Sequence, residues 1–149
     1  MGIVTIVKEI KEIHPKYIAL IRVGNFYRAY GKDAYIISNL FNYKITKEEN
    51  VDVVGFPKKV IKKVQAGLEN KKINYLLIDR RDNYTIDEQQ DFKNLNTYDK
   101  SFEVAKIYVN NMRRIDKINE YLVERVYEED LKKVLNYIEE YICNKKNLK

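Results

Sequence analysis

Residues 14–30 read His-Pro-Lys-Tyr-Ile-Ala-Leu-Ile-Arg-Val-Gly-Asn-Phe-Tyr-Arg-Ala-Tyr, and the architecture turns on them. From Tyr17 to Val23 every residue is apolar except Arg22. Such continuity, in place of alternation, predicts a central strand buried on both faces. Gly24-Asn25 is a tight-turn signal and Phe26-Tyr27-Arg28-Ala29-Tyr30 is aromatic and β-prone, so the two runs are expected to form a hairpin.

Upstream, Ile3, Ile6, Val7, Ile10 and Ile13 recur every three or four residues, which predicts one face of a helix ending at His14-Pro15. Downstream, Gly31-Lys32-Asp33 reads as a break and a helix cap, followed by a buried stripe of Ala34, Ile37, Leu40 and Phe41. A short strand is expected around residues 43–46, a polar loop over 47–50 and a strand over 51–54. Gly55-Phe56-Pro57 then opens a helix with proline in its first turn. Val60, Ile61, Val64 and Leu68 give that helix its inner face, and Lys58, Lys59, Lys62 and Lys63 the other. A turn at 70–72, a strand over 73–79 and one or two short edge strands, near 84–86 and 92–95, complete the sheet.

The period then changes. Phe102, Ala105, Val109, Met112, Ile115, Ile118 and Leu122 run at helical spacing for about six turns, and Leu131, Val134, Leu135, Ile138 and Ile142 repeat the pattern. The element order predicts an α/β (α+β) fold: a mixed β-sheet surrounded by helices, with a C-terminal helical hairpin. The expected division is a mixed domain over 1–98 and a pair of long helices over 99–149.

The 149 residues carry 28 Lys plus Arg against 22 Asp plus Glu, a formal charge of +6, with 45% hydrophobic and 34% charged residues. This excludes extensive disorder. Residues 1–96 hold 17 basic and 12 acidic side chains, 99–149 hold 11 and 10, so the basic surplus lies in the first two-thirds. A lone Cys143 leaves no internal disulfide, the charged opening MGIVTIVKEIKEI is no secretory signal, and a cytoplasmic address is expected. The longest apolar run is one strand long, so no membrane association is expected.

Catalytic chemistry has little to draw on. The only histidine, His14, sits at a helix end beside a proline, which leaves no triad base. The acidic stretch Asp79, Asp82, Asp87 and Glu88 lacks the spacing of a calcium loop, and no phosphate-binding G-x-x-x-x-G-K-[ST] occurs. The expectation is a protein that is not an enzyme and takes neither metal nor cofactor. What remains is VGNFYRAYG, an aromatic hairpin with a positive charge, backed by the basic helix after Pro57. Two readings stand. An exposed ring at a hairpin tip can wedge between base steps while Arg and Lys hold phosphates. Alternatively, Phe26, Tyr27 and Tyr30 are alternately buried sheet residues and the lysines coat a solvated helix face.

Residues 14–30 followed by Asp33-Ala34 resemble the opening of the N-terminal mismatch-recognition domain of the MutS family, an apolar strand, then R-[VM]-G-D-F-Y-E-x-[FY], then D-A. The resemblance continues in order through residues 40–47, Val54-Gly55-Phe56-Pro57 and its helix, and the strand ending at Asp79. It implies that family's domain I fold and a non-enzymatic, DNA-binding role. By position, Phe26 matches the phenylalanine that stacks on a mispaired base from the minor groove. Arg28 stands where the family has a glutamate that hydrogen-bonds the base, and Asn25 where it has aspartate. A carboxylate accepts hydrogen bonds and repels phosphate, whereas a guanidinium donates and attracts it. The family's mismatch selectivity is therefore not carried over to Arg28, which is expected to contact a phosphate or a base acceptor edge. Arg22, Lys58 and Lys59 are the expected auxiliary DNA contacts.

The family's clamp and P-loop ATPase have no counterpart in these 149 residues, so ATP binding is not expected of them and DNA affinity should be weak for a monomer. The stripe from Phe102 to Leu122, about 30 Å long at 1.5 Å per residue, either packs within the chain or serves as a homo-oligomer or protein-partner surface. The alternative function is an adaptor that keeps the fold, has lost DNA recognition and acts through its C-terminal helices. A nuclease would need carboxylates gathered around a metal, which the scattered Asp79, Asp82 and Asp87 do not offer.

Overall fold

Spacings of three and four among Ile3, Ile6, Val7, Ile10 and Ile13 do produce a helix: in the computed structural model, α1 runs Ile3–Ile13 and buries Ile6, Val7 and Ile10. The structure describes residues 2–147. Met1, Leu148 and Lys149, the outermost residues of the expected 1–98 and 99–149 segments, lie outside the described part. The chain continues as β1 (Ile18–Val23), β2 (Phe26–Tyr30), α2 (Lys32–Phe41), β3 (Thr46–Glu48) and β4 (Val51–Pro57). A 3-10 turn (Lys58–Val60) leads into α3 (Ile61–Asn70), β5 (Tyr75–Asp79), β6 (Thr85–Gln90), α4 (Asn96–Glu124) and α5 (Leu131–Asn147).

The six strands form one mixed sheet in the order β3-β4-β2-β1-β5-β6. β1 pairs antiparallel with β2 and parallel with β5, so the apolar run read from residues 17–23 lies at the centre of the sheet. Its residues 18–21 are buried on both faces, which is why their sequence shows no alternation. Ala19, Ile21, Tyr30, Leu76 and Ile78 pack against α1, and Ile18, Leu20, Ala29, Phe56 and Tyr75 face the opposite layer with residues of α2, α3 and the start of α4. Each large apolar side chain removed from water in these layers contributes about 1.5–3 kcal/mol, set against the entropy of ordering it.

Four local expectations are corrected. β4 continues through Gly55 and Phe56 to Pro57 because β2 pairs with it there, so Pro57 ends a strand and does not lie inside a helix. Residues 43–45 are not a strand: the Tyr43 ring stacks between Phe41 and Phe56, and its carbonyl accepts the Ser38 hydroxyl. β3 instead begins at Thr46 and uses Lys47 and Glu48, the supposed loop. Residues 92–95 form no strand, and β6 is a single strand over Thr85–Gln90.

Asp33 is not a helix cap. It sits in the first turn of α2 at 1% exposure, where its carboxylate accepts from the Ala19 N–H (3.0 Å), Lys11 Nζ (2.9 Å) and the Tyr98 hydroxyl (2.6 Å). One carboxylate thus ties together α1, β1, α2 and α4. Burial, followed by the charge of Asp33, pushes the Tyr98 phenol well above its ordinary range. Burial and the adjacent Glu69 carboxylate do the same for Tyr75. Both groups keep their protons in the folded chain at pH values where the unfolded chain loses them, so their stabilisation is complete below about pH 10 and declines above it. Unfolding free energies from urea titrations should fall by about 1.4 kcal/mol in total between pH 9 and 11 for each such group, most of it above pH 10. Tyr98→Phe should start lower at pH 8 yet decline less steeply; an equal slope in both proteins contradicts this account.

The chain divides into two units, Met1–Val109 and Asn110–Lys149, with α4 contributing to both. In the first unit α4 buries Tyr98, Ala105 and Val109. In the second, Ile115 and Ile118 of α4 and Leu135, Ile138 and Ile142 of α5 are all open to solvent. No helix among the described residues is long and apolar enough to cross a membrane.

Candidate nucleic-acid interface

The β1–β2 hairpin closes on two residues. Val23 pairs with Phe26, and Gly24 has φ of 61° while Asn25 stays at negative φ. A positive φ at the first central position alone is the requirement of a type II′ turn, where glycine pays no steric penalty. Side chains alternate along β2, so Phe26, Arg28 and Tyr30 share the face covered by α1, and Tyr27 and Ala29 share the other. Exposure falls along that first face from the tip inward. Phe26 is 50% exposed, Arg28 is half-buried and Tyr30 is 5% exposed. α1 reaches Tyr30 but leaves the ring at the strand's start open.

Arg28 Nη1 lies 2.7 Å from Glu48 Oε2, and the Tyr30 hydroxyl donates to the same oxygen at 3.3 Å. The guanidinium is held in its charged form by Tyr30 and Glu48, against the opposing effect of burial. Both partners of the ion pair are about one-third exposed, so water screens it and its net contribution stays below about 1 kcal/mol. Its consequence is geometric: Arg28 is oriented, and its charge is locally balanced by an acceptor. Sequence reasoning missed Glu48 by placing it in a loop. The available signal was Glu49-Asn50, both at positive φ, which closes a β3–β4 hairpin and pairs Glu48 with Val51.

The basic residues gather at the same end. Arg22 pairs across the hairpin with Tyr27, and its Nε donates to the Gly24 carbonyl at 3.3 Å. The Lys58 N–H donates to the Asn25 carbonyl at 2.7 Å, which fixes the 3-10 turn carrying Lys58 and Lys59 against the hairpin tip. Both lysine side chains are exposed. Phe26 itself pairs with Pro57 of β4. Phe26, Arg22, Lys58 and Lys59 are therefore neighbours of one turn, with Arg28 two residues inward and tied to Glu48. Among the described residues no group of three or more His, Cys, Asp or Glu side chains is placed to hold a metal ion.

Comparison with known proteins adds to this geometry. The sequence model of the family described as MutS domain I matches residues 1–75. The chain is 44% identical over 48 residues to the DNA mismatch repair protein MutS of Thermosipho melanesiensis, covering 32% of this chain and 6% of that protein. It is 39% identical over 54 residues to the MutS of Chlorobaculum parvum, covering 33% and 6%. With the MutS of Parabacteroides distasonis the identity is 36% over 90 residues, covering 48% of this chain and 10% of that protein. The aligned part is thus a tenth or less of these relatives' length.

Proposed function

Because the chain belongs to the MutS domain I family, we propose that it binds duplex DNA without catalysing a reaction, using the tip of the β1–β2 hairpin. Phe26 stacks against a base step from the minor groove, Arg22, Lys58 and Lys59 hold flanking phosphates, and Arg28 contributes a donor beside the ring. The observation that carries this reading is the half-exposed Phe26 ring on a two-residue turn whose Gly24 and Asn25 carbonyls accept from Arg22 Nε and the Lys58 N–H.

Selectivity follows from deformability. Arg28 is already engaged by Glu48, so base discrimination rests on how cheaply the DNA unstacks, and mismatched or bulged steps unstack most cheaply. The test is fluorescence anisotropy with mismatched, bulged and matched duplexes at low salt. The expected result is micromolar binding with a modest preference for mismatched or bulged DNA; no binding to any of the three removes the proposal. A second check uses salt. Log K falls by about 0.9 per phosphate neutralised for each unit of log salt, so removing Lys58 and Lys59 together should flatten that slope by roughly 1 to 2. The intracellular compartment that goes with this reading is the cytoplasm.

A second reading is favoured by a different observation. The apolar side chains of Ile115 and Ile118 are open, and Arg28 is occupied, as an adaptor with no DNA role would have them. In that case no duplex binds, and Ile115→Asp abolishes association with a protein partner docked on 99–149.

A further inference from the structure

In the second unit, α5 presents an apolar seam that its own chain leaves open. Leu131, Leu135, Ile138 and Ile142 recur at spacings of four, three and four, the a/d repeat of a helix seam. Leu135, Ile138 and Ile142 retain 40%, 38% and 47% of their surface, while Ile115 and Ile118 of α4 retain 55% each; Leu131, at the start of the seam, is half-buried. Beside the seam, Val134, Tyr137, Ile138 and Tyr141 line an open groove of about 450 Å³.

The charges flanking the seam identify what covers it. We propose that α5 packs antiparallel against α5 of a second copy of this chain, about a two-fold axis passing between Asn136 and Tyr137. In that register Leu135 faces Ile138 of the second copy and Leu131 faces Ile142, with each contact repeated by symmetry. The same register sets Lys132 against Glu139 of the second copy on one flank, and Val134 beside Tyr141 on the other. Among the described residues Lys132 and Glu139 form no ion pair within their own chain, so both are available for this contact. A parallel pairing brings no opposite charges together along these flanks, because the facing positions there are Lys132 with Tyr127, Glu139 with Val134 and Lys146 with Tyr141. Self-complementarity of charge and of the apolar pattern therefore selects a second copy, antiparallel, as the occupant. This inference is independent of the DNA reading.

Sedimentation equilibrium of the full chain without DNA is the test, at concentrations from about 1 to 100 µM. A monomer–dimer equilibrium is expected. Lys132→Glu alone, or Glu139→Lys alone, turns two attractions into two repulsions and should weaken the dimer on the order of tenfold. The double exchange, Lys132→Glu with Glu139→Lys, should restore it. Leu135→Lys should give monomer with the helical circular dichroism retained. A monomer throughout, a dimer insensitive to Lys132→Glu, or a double exchange that fails to rescue overturns the proposal.

Discussion

Asp33→Ala is expected to lower stability by about 3 kcal/mol, read as a urea midpoint shift at unchanged m-value and a fall of roughly 10 °C in Tm. The cost comes from what the carboxylate leaves behind. The Ala19 N–H and the Tyr98 hydroxyl lose a buried acceptor, and Lys11 loses the charge that holds its ammonium against the fold. Leaving a buried donor unsatisfied costs about 1–3 kcal/mol, more than the hydrogen bond itself contributes net. Lys11 is 23% exposed and can swing toward water, which keeps the total near the lower end of the range for a broken buried pair. Asp33→Asn keeps an acceptor for one side only, since its NH2 must face either the Ala19 N–H or the Lys11 and Tyr98 donors, so it should recover only part of the loss. A double-mutant cycle with Tyr98→Phe should show coupling above about 0.5 kcal/mol, since the two groups touch. A loss below about 1 kcal/mol for Asp33→Ala would mean that packing of α2, and not this carboxylate, joins the four elements.

That network also shows where sequence reading stops. Periodicity located α1, because Ile6, Val7 and Ile10 report its buried face and Pro15 ends it, although Ile13, counted on that face, is 66% exposed. The centre of the sheet was legible because burial on both faces removes alternation from residues 18–21. Both signals are local. Asp33 looked like a cap because its distant partners, Lys11 and Tyr98, contribute nothing to the pattern around it. The sequence places Pro57 in a helix for the same reason: only the cross-strand pairing with Phe26, set by the Gly24-Asn25 turn, shows that the strand continues. At the candidate interface the sequence marked Phe26, Arg28, Arg22, Lys58 and Lys59, yet not the Glu48 that engages one of them, since a carboxylate brought in by a neighbouring hairpin leaves no trace at residues 26–28. In α4 and α5 the stripes were visible while their state was not, because a stripe that packs and a stripe that waits for a partner share one spacing.

Phe26→Ala should weaken binding to a mismatched duplex roughly 10- to 100-fold, because stacking of one aromatic side chain on a base is worth about 1–3 kcal/mol. Stability should barely change. The ring is 50% exposed, and an exposed substitution typically stays within about 0.5 kcal/mol, so lost binding is not lost folding. Phe56 supplies the contrast: at 1% exposure and stacked between Tyr27 and Tyr43, its truncation should cost about 3–5 kcal/mol and report on the core alone. The loss at Phe26 should also depend on the DNA. A wedge gains most where the step is already loosened, so the ratio of mismatched to matched affinity should shrink toward one in Phe26→Ala, whereas removal of Lys58 and Lys59 should weaken both duplexes alike. Phe26→Tyr, which keeps the ring, should retain the ratio. If instead Phe26→Ala weakens both duplexes equally, the ring adds affinity without discriminating between them; if it weakens neither, the ring is a bystander and the hairpin touches DNA, if at all, through its basic residues.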